Sequence, residues 1–194
     1  MSQKHIISAL VENHSGVLAR VSTLISGRGF NIDSLAVGET HDPTVSRMTI
    51  VMVGDDRVCE QMIKQLNKLV DVIKVEDFRG QDIIDRELMI AKVQASAETR
   101  SDIMQIVNTF RAKIVDVTGE SLTVEVTGNE SKIDAILELL DPFGLQEVVR
   151  TGMVAMSRGR ALKTPKKKPI PMSGVQSGKA KKGTAKAGGK KVKN

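Results

Sequence analysis

The stretch of residues 11–32 constrains the fold more than any other part of the chain. It begins at the end of an apolar run, continues through a polar turn that ends at Gly16, and reaches Asn31 after two glycines. Within it, apolar residues recur three and four positions apart, and residues at that spacing lie on one face of a helix. The stretch therefore predicts a strand, a tight turn, an amphipathic helix that begins at or just after Gly16, and a second strand. The apolar face of this helix consists of Val17, Leu18, Val21, Leu24 and Ile25.

The same kind of pattern predicts the order βαββαβ for the first half of the chain. Strands are predicted at residues 4–12, 31–39, 45–53 and 70–78, and a second helix begins at Asp55-Asp56. Because each helix in this order must cross one face of the sheet, we expect a ferredoxin-like α+β arrangement. Residues 4–12 are apolar on both alternating faces, which is typical of a central strand.

The order recurs, without residue identity, after a polar connector at residues 79–85. Strands are predicted at residues 87–96, 113–118, 122–127 and 148–156, with helices whose apolar positions include Ile103 and Val107 in one and Ile133 and Leu140 in the other. We therefore expect two tandem ferredoxin-like domains, at residues 4–79 and 84–158.

The turn at residues 13–16, with the sequence NHSG, is a candidate site for a small carboxylate. The first amide hydrogens of a helix have no partner within it, and the positive end of the helix dipole lies there. Gly16 lacks a Cβ, so a ligand can approach the backbone closely. The side chains of Asn13 and Asn31 offer carbonyl and amide groups from two directions. In the alternative interpretation, Asn13 is an N-cap, Gly16 a turn residue and Asn31 a strand-edge residue.

The turn, the helix, Gly29 and the pair Asn31-Ile32 together resemble the ACT domain, a small module that binds free amino acids. The likeness extends to the phrases LVENHSGVLARV, RGFNIDSL, DPTVSRMTIV, QLNKLVDVIKV and KIVDVTG. In this order and at these intervals, they resemble the regulatory small subunits of acetolactate synthase, also called acetohydroxyacid synthase, across about residues 4–158.

This resemblance implies a non-catalytic subunit in branched-chain amino acid biosynthesis. Such a subunit activates a separate large subunit that condenses pyruvate to 2-acetolactate, or pyruvate with 2-oxobutyrate, and it confers feedback inhibition by valine. The resemblance also implies that thiamine diphosphate, magnesium and FAD belong to the large subunit, with no cofactor in this chain. The alternative is a free-standing ACT sensor of amino acids for another enzyme.

The resemblance further implies where an effector would bind. The carboxylate of valine lies on the amides of Gly16, Val17 and Leu18, and its ammonium meets the side-chain oxygens of Asn13 and Asn31. The aliphatic side chain of valine contacts Ile32. In ACT homodimers of this family, Asn31 and Ile32 come from the partner chain. The corresponding turn of the second half, residues 95–98, reads ASAE and lacks both the Asn and the Gly, so we expect no amino acid there.

Other functional classes find little support in the residues. An enzyme or a metal site would need converging ligands, but His5, His14 and His41 show no ligand spacing, and Cys59 falls in an apolar helix stripe. We therefore predict no catalytic residue and no metal ligand. His14 is interpreted as a solvent-facing turn residue, with pH-tuned effector binding as the alternative.

The charge is unevenly distributed along the chain. Residues 159–194 carry 12 of the 29 basic residues and no acidic residue, which leaves 17 basic against 23 acidic residues in the remainder. We expect a disordered Lys-rich tail that attracts nucleic acid only non-specifically, if at all. With no signal peptide and no apolar run of about 18 residues, we expect a soluble cytoplasmic protein without a membrane segment.

Overall fold

Two antiparallel sheets, each covered by two helices, make up residues 3–159, the part of the chain that the computed structural model describes. The α+β class and the two ferredoxin-like units are confirmed. The first unit has the expected order of elements, with β1 central in the sheet order β2-β3-β1-β4. Its elements are β1 (Gln3–Glu12), α1 (Val17–Ser26), β2 (Ile32–Glu39), β3 (Val45–Gly54), α2 (Asp56–Leu66) and β4 (Val72–Asp77).

The first core lies between this sheet and its two helices. Its buried residues alternate along β1 and β3 and recur at helical spacing on α1 and α2, which is why these segments take these structures. Asp55 fixes the start of α2 as its N-cap, since its carboxylate accepts a hydrogen bond from Val58 N at 2.8 Å. The core includes Ile7, Ala9, Val11, Val17, Val21, Ile25, Met48, Ile50, Met52, Cys59, Met62 and Leu66.

The second unit repeats the arrangement with the sheet order β6-β7-β5-β8. Its core contains Met89, Ala91 and Val93 on the helix-covered face of the central strand, together with Ile103 of the first helix and Ile133 of the second. Its elements are β5 (Ile83–Gln94), α3 (Arg100–Thr109), β6 (Lys113–Val117), β7 (Ser121–Gly128), α4 (Glu130–Leu140), β8 (Leu145–Arg150) and β9 (Val154–Ser157).

The prediction of one final strand at residues 148–156 was wrong. The chain forms β8, leaves the sheet at residues 151–153, and forms β9, which pairs with the early part of β5 from Ile83 to Arg86. Gly152 makes the break because its φ of 78° is a conformation that other residues rarely adopt. The pairing with β9 also explains why β5 begins at Ile83, within the segment predicted to be a connector.

The chain from Gly152 to the end of β9 lies against the first unit, on the sheet face away from its helices. A Cβ on Gly152 would come within 3.1 Å of Ser34 Cβ, and Ser157 Oγ donates to Glu76 Oε1 at 3.4 Å. Ser8, Thr49 and Val51 on this face of the first sheet are buried.

Both sheets fall within one compact unit, so the domain limits 4–79 and 84–158 remain predictions. The predicted Lys-rich tail, apart from Gly159, lies outside the described residues. Among residues 3–159, no helix has both the length and the apolar character needed to cross a membrane.

Candidate functional site

The start of α1 leaves its first amides weakly engaged. Gly16 is the N-cap and has a left-handed backbone, with φ at 88°. Within the described part of the chain, no side chain caps this helix. Val17 N reaches only His14 O, at a long 3.5 Å, whereas Arg20 N donates to Gly16 O at 3.0 Å in the regular helical pattern. A carboxylate can therefore accept hydrogen bonds here without displacing a strong one.

Asn13 is not the N-cap, so that interpretation of the sequence was wrong. Its side-chain Nδ2 donates to Glu39 Oε1 and to Pro43 O, both at 2.9 Å. Because the carboxylate and the carbonyl can only accept, the nitrogen of the amide must face them. The Oδ1 atom of Asn13 therefore points away from both, and it can accept a hydrogen bond from an ammonium group.

The backbone at the turn is open to approach. A Cβ on Gly16 would meet only the far end of the Arg20 side chain, Nη1 at 3.8 Å. The Val17 side chain belongs to the buried core, so this residue offers only its amide to a ligand. The Leu18 side chain is 46% exposed on the first turn of the helix.

Asn31 and Ile32 lie at the opposite end of the sheet from this turn. Ile32 pairs with Met52 of β3, whereas Glu12, the last residue before Asn13, pairs with Val45 of the same strand. Seven residues of β-strand separate those two positions, which is roughly 24 Å. One copy of the chain therefore does not bring the two asparagines together.

A cluster that the sequence did not predict surrounds His14. Its Nε2 atom lies 3.2 Å from Asp71 Oδ1 and 3.4 Å from Glu12 Oε2, and Arg20 Nε lies 2.7 Å from Asp71 Oδ2. The His14 side chain is about half exposed, and Asp71 is buried. Spacing along the chain could not reveal this cluster, because Asp71 stands just before β4 and meets the turn only in the folded sheet.

The turn at residues 95–98 in the second half lies at the position in the fold that residues 13–16 occupy in the first half. Asn13 N donates to Thr44 O at 2.8 Å, and Ala95 N donates to Glu120 O at 2.8 Å, so Ala95 corresponds to Asn13. The buried residues of the following helices agree, since Ile103 and Val107 keep the same spacing from Ala95 that Val21 and Ile25 keep from Asn13.

Two amides of this second turn have hydroxyl partners within the chain. Ser96 N donates to Thr99 Oγ1 at 3.1 Å, and Thr99 N donates to Ser96 Oγ at 3.2 Å. The guanidinium of Arg100 donates to Thr118 O at 2.7 Å and to Gly119 O at 3.1 Å. The second turn is therefore closed by its own side chains, where the first is not.

Comparison with known proteins covers both halves. Residues 7–74 match a family model described as the AHAS small subunit-like ACT domain, and residues 86–159 match one described as the small subunit of acetolactate synthase. A probable acetolactate synthase small subunit of Methanothermobacter thermautotrophicus is 58% identical over 156 residues, which cover 80% of this chain and 93% of that protein. The acetolactate synthase small subunit of Aquifex aeolicus is 50% identical over 83% of this chain and 84% of its own length.

A solved structure agrees with these relatives. The crystal structure of the acetolactate synthase small subunit from Thermotoga maritima is 41% identical and superposes with a TM-score of 0.76. The match covers 82% of this chain and 99% of that chain. The likeness therefore extends over both ferredoxin-like units.

Proposed function

Because the chain belongs to the family of acetolactate synthase small subunits, we propose that it activates a separate large subunit and transmits inhibition by valine. The large subunit condenses pyruvate to 2-acetolactate, or pyruvate with 2-oxobutyrate, in branched-chain amino acid biosynthesis in the cytoplasm. Thiamine diphosphate, magnesium and FAD belong to that large subunit. This chain supplies the effector site and the surface that docks the catalytic partner.

The open helix start at Gly16 is the observation that carries the effector part of the proposal. The carboxylate of valine accepts hydrogen bonds from the amides of Gly16, Val17 and Leu18, where the dipole of α1 adds favourable charge. The ammonium group donates to Asn13 Oδ1, which the contacts with Glu39 and Pro43 orient away from themselves.

A second copy of the chain completes the site. Asn31 and Ile32 lie roughly 24 Å along the sheet from the turn of their own chain. In a homodimer through the ACT domains, these two residues of the partner copy contact the ammonium and the aliphatic side chain of valine. Valine then bridges two chains, so that its binding depends on the geometry of the dimer.

The effector acts by binding one state of the complex more tightly than another. Allosteric coupling energies are typically about 1–3 kcal/mol. A single methylene contributes about as much to discrimination in an apolar pocket, so leucine and isoleucine should inhibit more weakly than valine.

The test combines the full chain with the large subunit of the same organism and measures acetolactate formation with and without valine. We expect activation by the chain, inhibition by valine, and an Asn13→Ala variant that still activates but responds to valine at least about 10-fold more weakly. The matched control is Ala95→Ser at the equivalent position of the second half, which should behave as wild type.

Loss of activation and inhibition together in Asn13→Ala, with the control unaffected, would contradict a dedicated effector site. If the chain bound valine but left acetolactate formation unchanged, the alternative of a free-standing amino-acid sensor for another enzyme would be favoured.

A further inference from the structure

Arg20 places a positive charge beside the open start of α1. It is the fourth residue of this helix, and side chains on a helix lean toward its N-terminus, so residues four positions apart lie one above the other. Its Nη1 atom lies 3.8 Å from the position that a Cβ on Gly16 would take. The guanidinium therefore lies beside the turn that begins the helix.

Asp71 holds Arg20 in this position. Arg20 Nε lies 2.7 Å from Asp71 Oδ2, and Asp71 is only 6% exposed. The backbone of Asp71 is fixed as well, because Glu12 N donates to Asp71 O at 2.8 Å. A guanidinium has five N–H donors in one plane, so it can contact one carboxylate through Nε and a second one through its terminal nitrogens. The Arg20 side chain is 49% exposed, so a ligand can reach it from solvent.

The charge at this helix start is opposite to that at the other helices. The positive end of the helix dipole lies at the N-terminus, where acidic residues are favourable and basic residues are unfavourable. Acidic residues occupy the first turns of α2, α3 and α4, at Asp56, Asp102 and Glu130. By contrast, α1, which lies wholly within the described residues, has none. When the two turns are aligned, Arg20 falls where α3 has Asp102, so a bound carboxylate would supply the negative charge that the first turn lacks.

We propose that Arg20 binds the carboxylate of the amino-acid effector together with the amides of the turn. This inference rests on the proposed effector site at Gly16 and adds a charged side chain to it. Guanidinium and carboxylate are planar groups that match through two parallel hydrogen bonds, and the guanidinium adds a full positive charge that backbone amides lack. The site would therefore select ligands with an ionised carboxylate over neutral analogues such as amino-acid amides.

A purely structural role for Arg20 makes a different prediction. In that role, Arg20 serves only to neutralise the buried carboxylate of Asp71, whose Oδ1 atom also lies 3.2 Å from His14 Nε2. Removing either member of the Arg20–Asp71 ion pair would then have the same consequence. If Arg20 binds the effector, the loss of its guanidinium must weaken binding far more than the loss of the Asp71 charge.

Calorimetric titration of the full chain with valine separates the two roles. Arg20→Gln should lower the affinity for valine at least about 10-fold, because hydrogen bonds between two charged groups are lost. Asp71→Asn breaks the same ion pair but keeps the guanidinium, so the affinity should fall only about 3-fold, the cost of ordering a looser side chain on binding. Arg28→Gln is the matched control, since it removes the same charge from an exposed arginine beyond the other end of α1, and it should bind valine as wild type does.

Equal losses of affinity in Arg20→Gln and Asp71→Asn would overturn the inference, and so would wild-type affinity in Arg20→Gln. Circular dichroism shows whether Asp71→Asn folds. If it does not, valinamide decides, because it keeps the ammonium group and the aliphatic side chain of valine but lacks the negative charge. Arg20→Gln and wild type should then bind valinamide alike, whereas a loss as large as that for valine would overturn the role of Arg20.

The same titrations distinguish this inference from the proposed function. Absence of valine binding by the wild-type chain would overturn the effector site as a whole. Valine binding by wild type with an unaffected Arg20→Gln variant would overturn only the role of Arg20.

Discussion

The turns that begin α1 and α3 occupy equivalent positions in the two halves but satisfy their backbone amides differently. At the first, the N-cap is a left-handed glycine, and among the described residues neither α1 nor α3 has a side-chain hydrogen bond of the usual N-cap kind. At the second, Ser96 and Thr99 exchange hydrogen bonds between hydroxyl and amide, and Arg100 donates to nearby carbonyls. Both halves keep the same strand and helix frame around these turns.

The difference shows how one fold can leave backbone amides open at the helix start of one half and occupy them with side chains in the other half. A helix start must have its amides satisfied by something. Where the chain supplies hydroxyl groups, the site is closed. Where it supplies Gly16, the amides are left for water or for a ligand. The position of Gly16 corresponds to Glu98, so the second turn also carries a carboxylate of its own.

The largest expected effect comes from placing a carboxylate at the first turn. Gly16→Asp should weaken valine binding about 1000-fold in calorimetry, because the new side chain competes for two amide hydrogen bonds to a charged group, each worth about 2 kcal/mol. Gly16→Asn is the control that separates the effect of the charge from that of backbone strain, since Asn tolerates the left-handed conformation and has no charge.

The control in the second half is Ala97→Asp, which adds a carboxylate beside Glu98, the counterpart of Gly16, and it should leave valine affinity unchanged. If Ala97→Asp weakened binding as much as Gly16→Asp, the two turns would not differ in the way proposed.

The two cores also differ chemically at one equivalent helix position. Cys59 is the first buried residue of α2, as Ile133 is of α4, and each follows its helix start by the same interval. Burial raises the pKa of the Cys59 thiol from 9.0 to about 11, and the negative charge of Asp77 is the second cause of this increase. Since the thiolate is the reactive form, labelling with a disulfide reagent at pH 8 should be about 100-fold slower in the folded chain than in urea.

The raised pKa of Cys59 also makes the free energy of unfolding depend on pH. The folded chain keeps the proton up to about pH 11, whereas the unfolded chain releases it near 9.0, so the free energy of unfolding should fall as pH rises between these values. Equal labelling rates in the folded and unfolded chains would contradict the burial of this thiol. Cys59 is the only cysteine, so the signal has a single source.

The smallest expected effect concerns Leu18 and Arg100, which lie two positions after Gly16 and after its counterpart Glu98. Arg100→Ala should lower the free energy of unfolding in urea by about 2 kcal/mol, because carbonyls of Ala95, Thr118 and Gly119 lose a charged donor. Leu18→Ala at the corresponding position of α1 should cost less than about 1 kcal/mol, since that side chain is nearly half exposed. Equal costs would mean that Arg100 does not close the second turn.

Periodicity sufficed to predict most of the fold and the start of the candidate site. The helix after Gly16 begins at Val17, and α2 begins at Asp56 within the predicted acidic pair, because local spacing and capping residues determine these features. The correspondence of the two turns also follows from the order of elements, and the hydrogen bonds of Asn13 and Ala95 agree with it.

What the sequence did not predict depends on contacts between distant segments. The pairing of β9 with Ile83 requires the break at Gly152, whose neighbour Ser34 lies in the other half of the chain. The orientation of Asn13 depends on Glu39 and Pro43, and the cluster at His14 depends on Asp71. None of these partners lies within one helical turn or strand of the residue that it positions.

The pairing of β9 with the early part of β5 has a consequence for synthesis on the ribosome. The outer face of the first sheet, with buried residues such as Thr49 and Val51, is translated long before the segment that lies against it. A nascent chain that has emerged only through β8 therefore displays that surface to water and to chaperones. Translation must proceed to Ser157 before the earliest strands are fully enclosed.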